Sequence, residues 1–184
     1  MKEDWGMRCF GILGNARSEI INDEFLLIFI YFISFSIMDL GLKKIVVGVF
    51  VKSESNEILM VQEAKDEVKW LFNFPIGRLE DGESIFECAI REAKEETWFD
   101  VKLNSILSIQ YFVDKCILKI IFNATIKSGT ISFDKNEIMN VKWIPIEKLE
   151  NMSKDILRSY DSIIDIINNS KNNIQYPLSI IKNF

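Results

Sequence analysis

The segment 77–101, GRLEDGESIFECAIREAKEETWFDV, constrains this chain more than any other stretch. Ser84 with Glu87 three positions on forms a capping box, which predicts a helix over residues 84–97. At 100° per residue Phe86, Ala89, Ile90 and Ala93 share one arc, the arc expected to pack on a sheet. Glu92, Glu95 and Glu96 stand at i, i+3 and i+4 and form a neighbouring stripe. Glu87, Arg91 and Lys94 take the more exposed side, with Arg91 in reach of Glu87 and Glu95.

Three adjacent carboxylates repel one another unless something positive lies on them. A hard cation such as Mg²⁺ takes oxygen ligands and binds through a few carboxylates together with substrate phosphates. It polarises a phosphoryl oxygen and helps to deprotonate an attacking water. A Glu-rich helix face on its own is commonly just solvated. The preceding loop shifts the balance: Gly77 permits close backbone approach, Gly82 turns the chain, and Glu83 stands one residue before the cap.

Around this segment the chain alternates β-rich and helical stretches. Residues 42–52 (LKKIVVGVFVK) and 58–62 read as two strands joined by a polar turn at 53–56, which predicts a hairpin. Residues 70–75 read as a short aromatic strand ended by Pro75, and 77–83 as a loop. Residues 103–113, 115–127 and 138–144 read as further strands, with a loop at 129–136. Ile156, Leu157, Tyr160, Ile163, Ile164 and Ile167 recur at helical spacing over residues 154–168. Strands interleaved with two helices predict a layered α/β domain over residues 42–170. Residues 1–41 read as an N-terminal extension and 171–184 as an irregular tail.

Composition narrows the chemistry. The 184 residues contain no histidine, which excludes a Ser-His-Asp triad, a Cys-His pair, a His-ligated zinc site and a histidine base. The net charge of −5 comes without a Lys/Arg cluster, so no nucleic-acid footprint is expected. An acidic protein that handles phosphates needs another source of positive charge, and a bound divalent ion supplies it. Three scattered cysteines form no disulfide framework, which favours a reducing compartment and a cytoplasmic location. The apolar run at residues 25–38 is shorter than the ~20 residues of a membrane span. A buried element or a dispensable extension fits it better than a membrane tether, so no membrane partner is expected. The sequence does not fix an oligomeric state.

Segment 77–101 resembles the signature box of the Nudix hydrolases: Gly, five residues, Glu, seven residues, Arg-Glu, an apolar residue, any residue, Glu-Glu, any residue, Gly, an apolar residue. Gly77, Glu83, Arg91, Glu92, Ala93, Glu95, Glu96 and Phe99 match at their required spacings. Trp98 stands where the family has its last Gly, a residue that ends the helix in a left-handed conformation. The resemblance implies an α/β/α sandwich with a mixed central sheet. It implies Mg²⁺ as cofactor, with Mn²⁺ as an alternative, held by Glu92, Glu95, Glu96 and the backbone carbonyl of Ile76. Glu83 would support the site or a second metal, and Arg91 would orient its neighbours. Glu137, six residues before Trp143, would be a general base or an extra ligand; as a solvated loop acid it would do neither.

The flanks (MVQEAKDEVKW, FPIGRLEDGES and ILRSYDSIIDIINNSKNNIQYPLSI) are similar to the animal Nudix enzymes that hydrolyse 8-oxoguanine nucleoside diphosphates. That similarity implies a small-molecule nucleotide substrate, 8-oxo-dGDP or 8-oxo-GDP, cut to the monophosphate plus phosphate. It also places a nucleotide contact near Ile58, a position that equally suits plain core. Phe72 replaces the subgroup's Trp before the box, and Ile76 a small residue. Hydrolysis of another nucleotide, such as a nucleotide sugar or dinucleotide, and a non-catalytic binding module on the same scaffold are the competing expectations.

Overall fold

The computed structural model describes residues 42–64 and 66–182. The apolar run at 25–38 lies outside the described residues. Two sheets form the frame. The larger has the order β4-β1-β6-β5, with β1 Lys44–Val51, β4 Ile76–Arg78, β5 Asp100–Phe112 and β6 Ile117–Ser128. It is mixed: β1 runs parallel to β6, while β1–β4 and β5–β6 are antiparallel. The smaller has the order β3-β2-β7, with β2 Glu57–Glu63, β3 Phe72–Asn73 and β7 Ile138–Pro145.

The expected β1–β2 hairpin forms only at its tip. Ser53 N–H donates to Glu57 O at 2.8 Å and a single bridge joins Lys52 to Ile58. The strands then part into different sheets. Both are apolar on both faces, so each is a central strand with a neighbour on either side, the pattern of a fully covered sheet and not of a half-solvated hairpin. The aromatic strand expected at 70–75 shrinks to Phe72–Asn73. The loop expected from residue 77 begins as β4, the edge strand paired with β1.

Helix α1, Ile85–Thr97, follows the capping box: Ser84 Oγ accepts from Glu87 N–H, and the Glu87 carboxylate accepts from Ser84 N–H. Its buried residues are Cys88, Ala89, Ala93 and Thr97, and Phe86 packs on Phe122 at a 5.5 Å ring separation. Ile90 does not join them; it is 42% exposed, because the buried arc runs through Cys88 and Thr97 instead. After the short helix α2, Ile146–Glu150, the second long helix, α3, begins at Tyr160 and ends at Lys171. Residues 154–158 are not part of it. Leu157 instead bridges to Phe72, and Arg158 N–H donates to Phe72 O at 2.9 Å. That tertiary pairing draws Leu157 into the core and leaves Ile156 exposed.

The core lies between the two sheets and α3, where Phe50, Phe74, Leu107, Ile121, Ile144, Ile163 and Ile166 are buried together. The terminal segment is ordered against β5: Ile106 and Tyr176 exchange both backbone hydrogen bonds at 2.8 Å.

Candidate active site

β4 is an edge strand, and this sets the site. Gly77 pairs with Val47 of β1, so the backbone groups of Ile76 and Arg78 point away from β1, toward α1. Ile76 N–H donates to Glu96 Oε2 at 3.0 Å. The Arg78 carbonyl accepts from Arg91 Nη2 at 3.0 Å. Gly77 lies directly under Glu92: a Cβ there would stand 1.9 Å from Glu92 Oε1. The absence of a side chain at 77 is what lets the Glu92 carboxylate rest on the loop.

Arg91 ties the arrangement together. Its Nε and Nη2 donate to the two oxygens of Glu83 at 3.0 and 2.6 Å. Nη1 donates to Glu92 Oε1 at 2.7 Å and to Glu95 Oε2 at 3.0 Å. Fork geometry of this kind orients as well as attracts. The contact expected with Glu87 is not made, because that carboxylate is spent on the cap. The Arg91 guanidinium holds the Glu83 carboxyl down to about 2. Burial pushes Glu92 above the ordinary carboxylate range, against the pull of Arg91. Burial also drives the Cys88 thiol up to about 12, so it is an inert core residue.

Glu92, Glu95, Glu96 and Glu137 all line one cavity of about 610 Å³. Glu137 comes from the loop before β7, anchored where Ala64 N–H donates to its carbonyl at 3.0 Å. Ile76, Gly77 and Arg91 line the same cavity. Among the described residues no three acidic side chains converge on one point, because Arg91 draws Glu92 and Glu95 while Ile76 holds Glu96. Ile58 is elsewhere: it is fully buried in the core, paired with Ile144, on the face of β2 away from the cavity. The β2 residue that reaches the cavity is Glu63.

The same cavity holds buried charges that the sequence reading does not predict. Glu63, 4% exposed, accepts from Arg158 Nη1 at 2.5 Å and from Asn73 Nδ2 at 3.5 Å. Lys119, 5% exposed, donates to Ser162 Oγ at 3.0 Å. Lone charges inside apolar strands, as in ILKIIF, were the available signal, since a chain seldom buries a charge without use. The cavity is thus lined by charges of both signs: the α1 carboxylates with Glu63, Glu67, Glu80 and Glu137, and Lys44, Arg78, Arg91, Lys115, Lys119 and Arg158.

The sequence model of the NUDIX domain family matches residues 42–164. Nudix hydrolase 5 of Arabidopsis thaliana is 34% identical over 117 residues, which is 59% of this chain and 38% of that protein. The 8-oxo-dGDP phosphatase NUDT18 of Homo sapiens is 29% identical over 139 residues, 73% of this chain and 41% of that protein. The chain therefore spans about two fifths of the length of these relatives. Among solved structures, a NUDIX hydrolase from Nitrosomonas europaea superposes with a TM-score of 0.68 at 22% identity, covering 77% of this chain and 97% of that one. A UDP-X diphosphatase superposes with a TM-score of 0.59 at 20% identity, covering 72% and 66%. With the box residues on a capped helix and an edge strand, the α/β fold shared with these structures and a family match over most of its length, the chain belongs to the Nudix family.

Proposed function

We propose that this protein is a metal-dependent hydrolase that cleaves a diphosphate linkage in a nucleotide, with 8-oxo-dGDP or 8-oxo-GDP as substrate and the monophosphate plus phosphate as products. The observation that carries the reading is the seating of Glu92 on Gly77 and of Glu96 on Ile76, at a cavity that also presents lysines and arginines. The base specificity is drawn from the likeness to human NUDT18.

The donors fit a hard divalent ion: they are all oxygens, and Gly77 leaves the room that a Cβ would fill. Glu92, Glu96 and the Ile76 carbonyl would hold it, with the half-exposed Glu95 as a further ligand. When bound, Mg²⁺ or Mn²⁺ neutralises phosphate charge and makes water a better nucleophile. The chain's own groups do the rest. Arg91 fixes the rotamers of Glu92 and Glu83, so that the carboxylates are positioned before substrate arrives. Lys44 and Lys115, which line the same cavity, add positive charge that draws in an anionic substrate. Glu137, on a separate loop that lines the same cavity, would take a proton from the attacking water, a role that a box glutamate could fill in its stead. Among the described residues both cysteines are free, in keeping with a cytoplasmic enzyme.

The test is product analysis with Mg²⁺ or Mn²⁺ across 8-oxo-dGDP, dGDP, the corresponding triphosphates, a nucleotide sugar and a dinucleotide. A higher kcat/KM for 8-oxo-dGDP than for dGDP is expected. Equal rates on those two, or a preference for the sugar or dinucleotide, would discard the oxidised-nucleotide substrate while keeping the reaction class.

A further inference from the structure

The cavity floor is the inner face of the larger sheet. One row of residues runs in register across the sheet, Arg78 on β4, Val46 on β1, Lys119 on β6 and Gln110 on β5, and the first three line the cavity. Lys119 is the unusual member. It lines the cavity at 5% exposure, and among the described residues no carboxylate pairs with it. An ammonium buried without a counter-ion is costly. The fold nevertheless holds it in place through a directed chain. Lys119 Nζ donates to Ser162 Oγ at 3.0 Å, Ser162 Oγ donates to Gln110 Oε1 at 2.5 Å, and Gln110 Nε2 donates to Asp165 Oδ2 at 2.9 Å. With its proton committed to Gln110, the serine presents only a lone pair to Lys119. That contact uses one of three ammonium N–H groups. Burial, and secondarily the positive charge of Arg158, lower the pKa of Lys119 to about 8, as befits an ammonium short of acceptors.

Position tells what the missing acceptor is. Two strand spacings separate β6 from the edge strand at the carboxylates, about 10 Å. A phosphate seated at Ile76 and Gly77 lies at the edge of this floor, and the part of a nucleotide that extends from there across β1 to β6 is the nucleoside, which makes it the partner Lys119 is placed to meet. Ile117 and Phe112, paired with each other across β6 and β5, give an apolar flank beside Lys119 where a ring can lie. Guanine-type bases present carbonyl acceptors that lysine can read, whereas adenine presents an amino donor at the corresponding edge.

We infer that Lys119, held by Ser162 and Gln110, is a specificity-determining donor to a keto oxygen of the substrate's nucleobase, so that the cavity selects keto bases over amino bases. This rests on the proposed nucleotide substrate, and the test separates the two. Wild type, Lys119→Met and Ser162→Ala are compared for kcat/KM on dGDP, 8-oxo-dGDP and dADP with Mg²⁺. The affinity of the same proteins for dGMP and dAMP is measured by calorimetry. Lys119→Met should lower kcat/KM on the two guanine diphosphates about tenfold or more, mainly through KM, and change dADP by less than about twofold. Affinity for dGMP, and not for dAMP, should fall in parallel, with Ser162→Ala shifting the same way by less. Removing an uncompensated buried charge should leave the melting temperature unchanged or higher. Should Met at 119 fail to fold, Ser162→Ala carries the same comparison. Equal losses on both bases would make Lys119 a phosphate contact and overturn the inference, as would no change on either. If wild type hydrolyses no diphosphate, the proposed function fails, while the dGMP and dAMP affinities still decide the role of Lys119.

Discussion

Glu83 and Lys119 are held by opposite balances of forces, and pH reports on both. Glu83, paired with both arms of Arg91, has its carboxyl lowered from 4.5 to about 2. The folded protein therefore binds this proton less readily than the unfolded chain. The pair stabilises fully above about pH 4.5, and its contribution is lost as pH falls toward 2. Lys119 has the opposite sign. Its folded pKa of about 8 lies below the ordinary 10.5, so the unfolded chain binds more protons between those values. Its contribution to stability rises across that window as pH increases. Denaturant titrations over pH should show both limbs. Glu83→Gln is expected to flatten the acid limb and leave the alkaline one. An unchanged acid limb in Glu83→Gln would mean that the pair with Arg91 does not stabilise the fold.

At the scale of elements, α1 shows how local code and tertiary demand divide the work. Its start is written in Ser84 and Glu87 and forms as that pattern requires. Its end departs from the family, yet the geometry is kept: Trp98 takes the left-handed conformation, φ 65°, that a glycine would adopt freely, and its N–H still closes on Lys94 O at 2.8 Å. The left-handed region costs a side-chain-bearing residue ~1–2 kcal/mol. Lys94 returns part of this by lying over the exposed indole, 5.3 Å from the ring centroid. An exposed cation–π contact is worth only ~0.5–1 kcal/mol. Trp98→Gly is thus expected to raise unfolding free energy by roughly 0.5 kcal/mol, measured as a higher denaturant midpoint. A lower midpoint would show that the indole contributes more than its conformation costs.

The same division explains what could be read beforehand. The helix, its stripe and the Gly77 loop were legible because their logic is contained within a few turns of chain. The β1–β2 ladder was misjudged because a turn announces a reversal, not which sheet each strand joins. The onset of α3 was misplaced because Leu157 fits a helical period, but its pairing with Phe72 is fixed by a residue far away in sequence. The buried charges of the cavity are illegible in the sequence for the same reason. Lys119, Arg158 and Glu63 meet only once β6, β2 and the approach to α3 are assembled.

For the molecule as a whole, the described residues hold a core and the residues that line the cavity. Among the described residues no helix is long and apolar enough to cross a membrane. A protein that begins at Leu42 is expected to melt at the same temperature as the full chain and to retain its activity. Sedimentation of the full chain with membranes, but not of the shortened one, would assign residues 25–38 a tethering role instead.

Hydrolysis dependent on the seated carboxylates is the centre of the account, and Glu96→Gln tests it most directly. The substitution keeps the size of the side chain and an oxygen for Ile76 N–H, but removes the charge. Release of monophosphate and phosphate from guanosine-type diphosphates would be followed against Mg²⁺ concentration for both proteins, with circular dichroism to confirm the fold. Wild type is expected to turn over only with the metal, and Glu96→Gln to lose about a hundredfold or more in kcat with its fold intact. Turnover without a divalent ion, or a Glu96→Gln variant as active as wild type, would contradict the account.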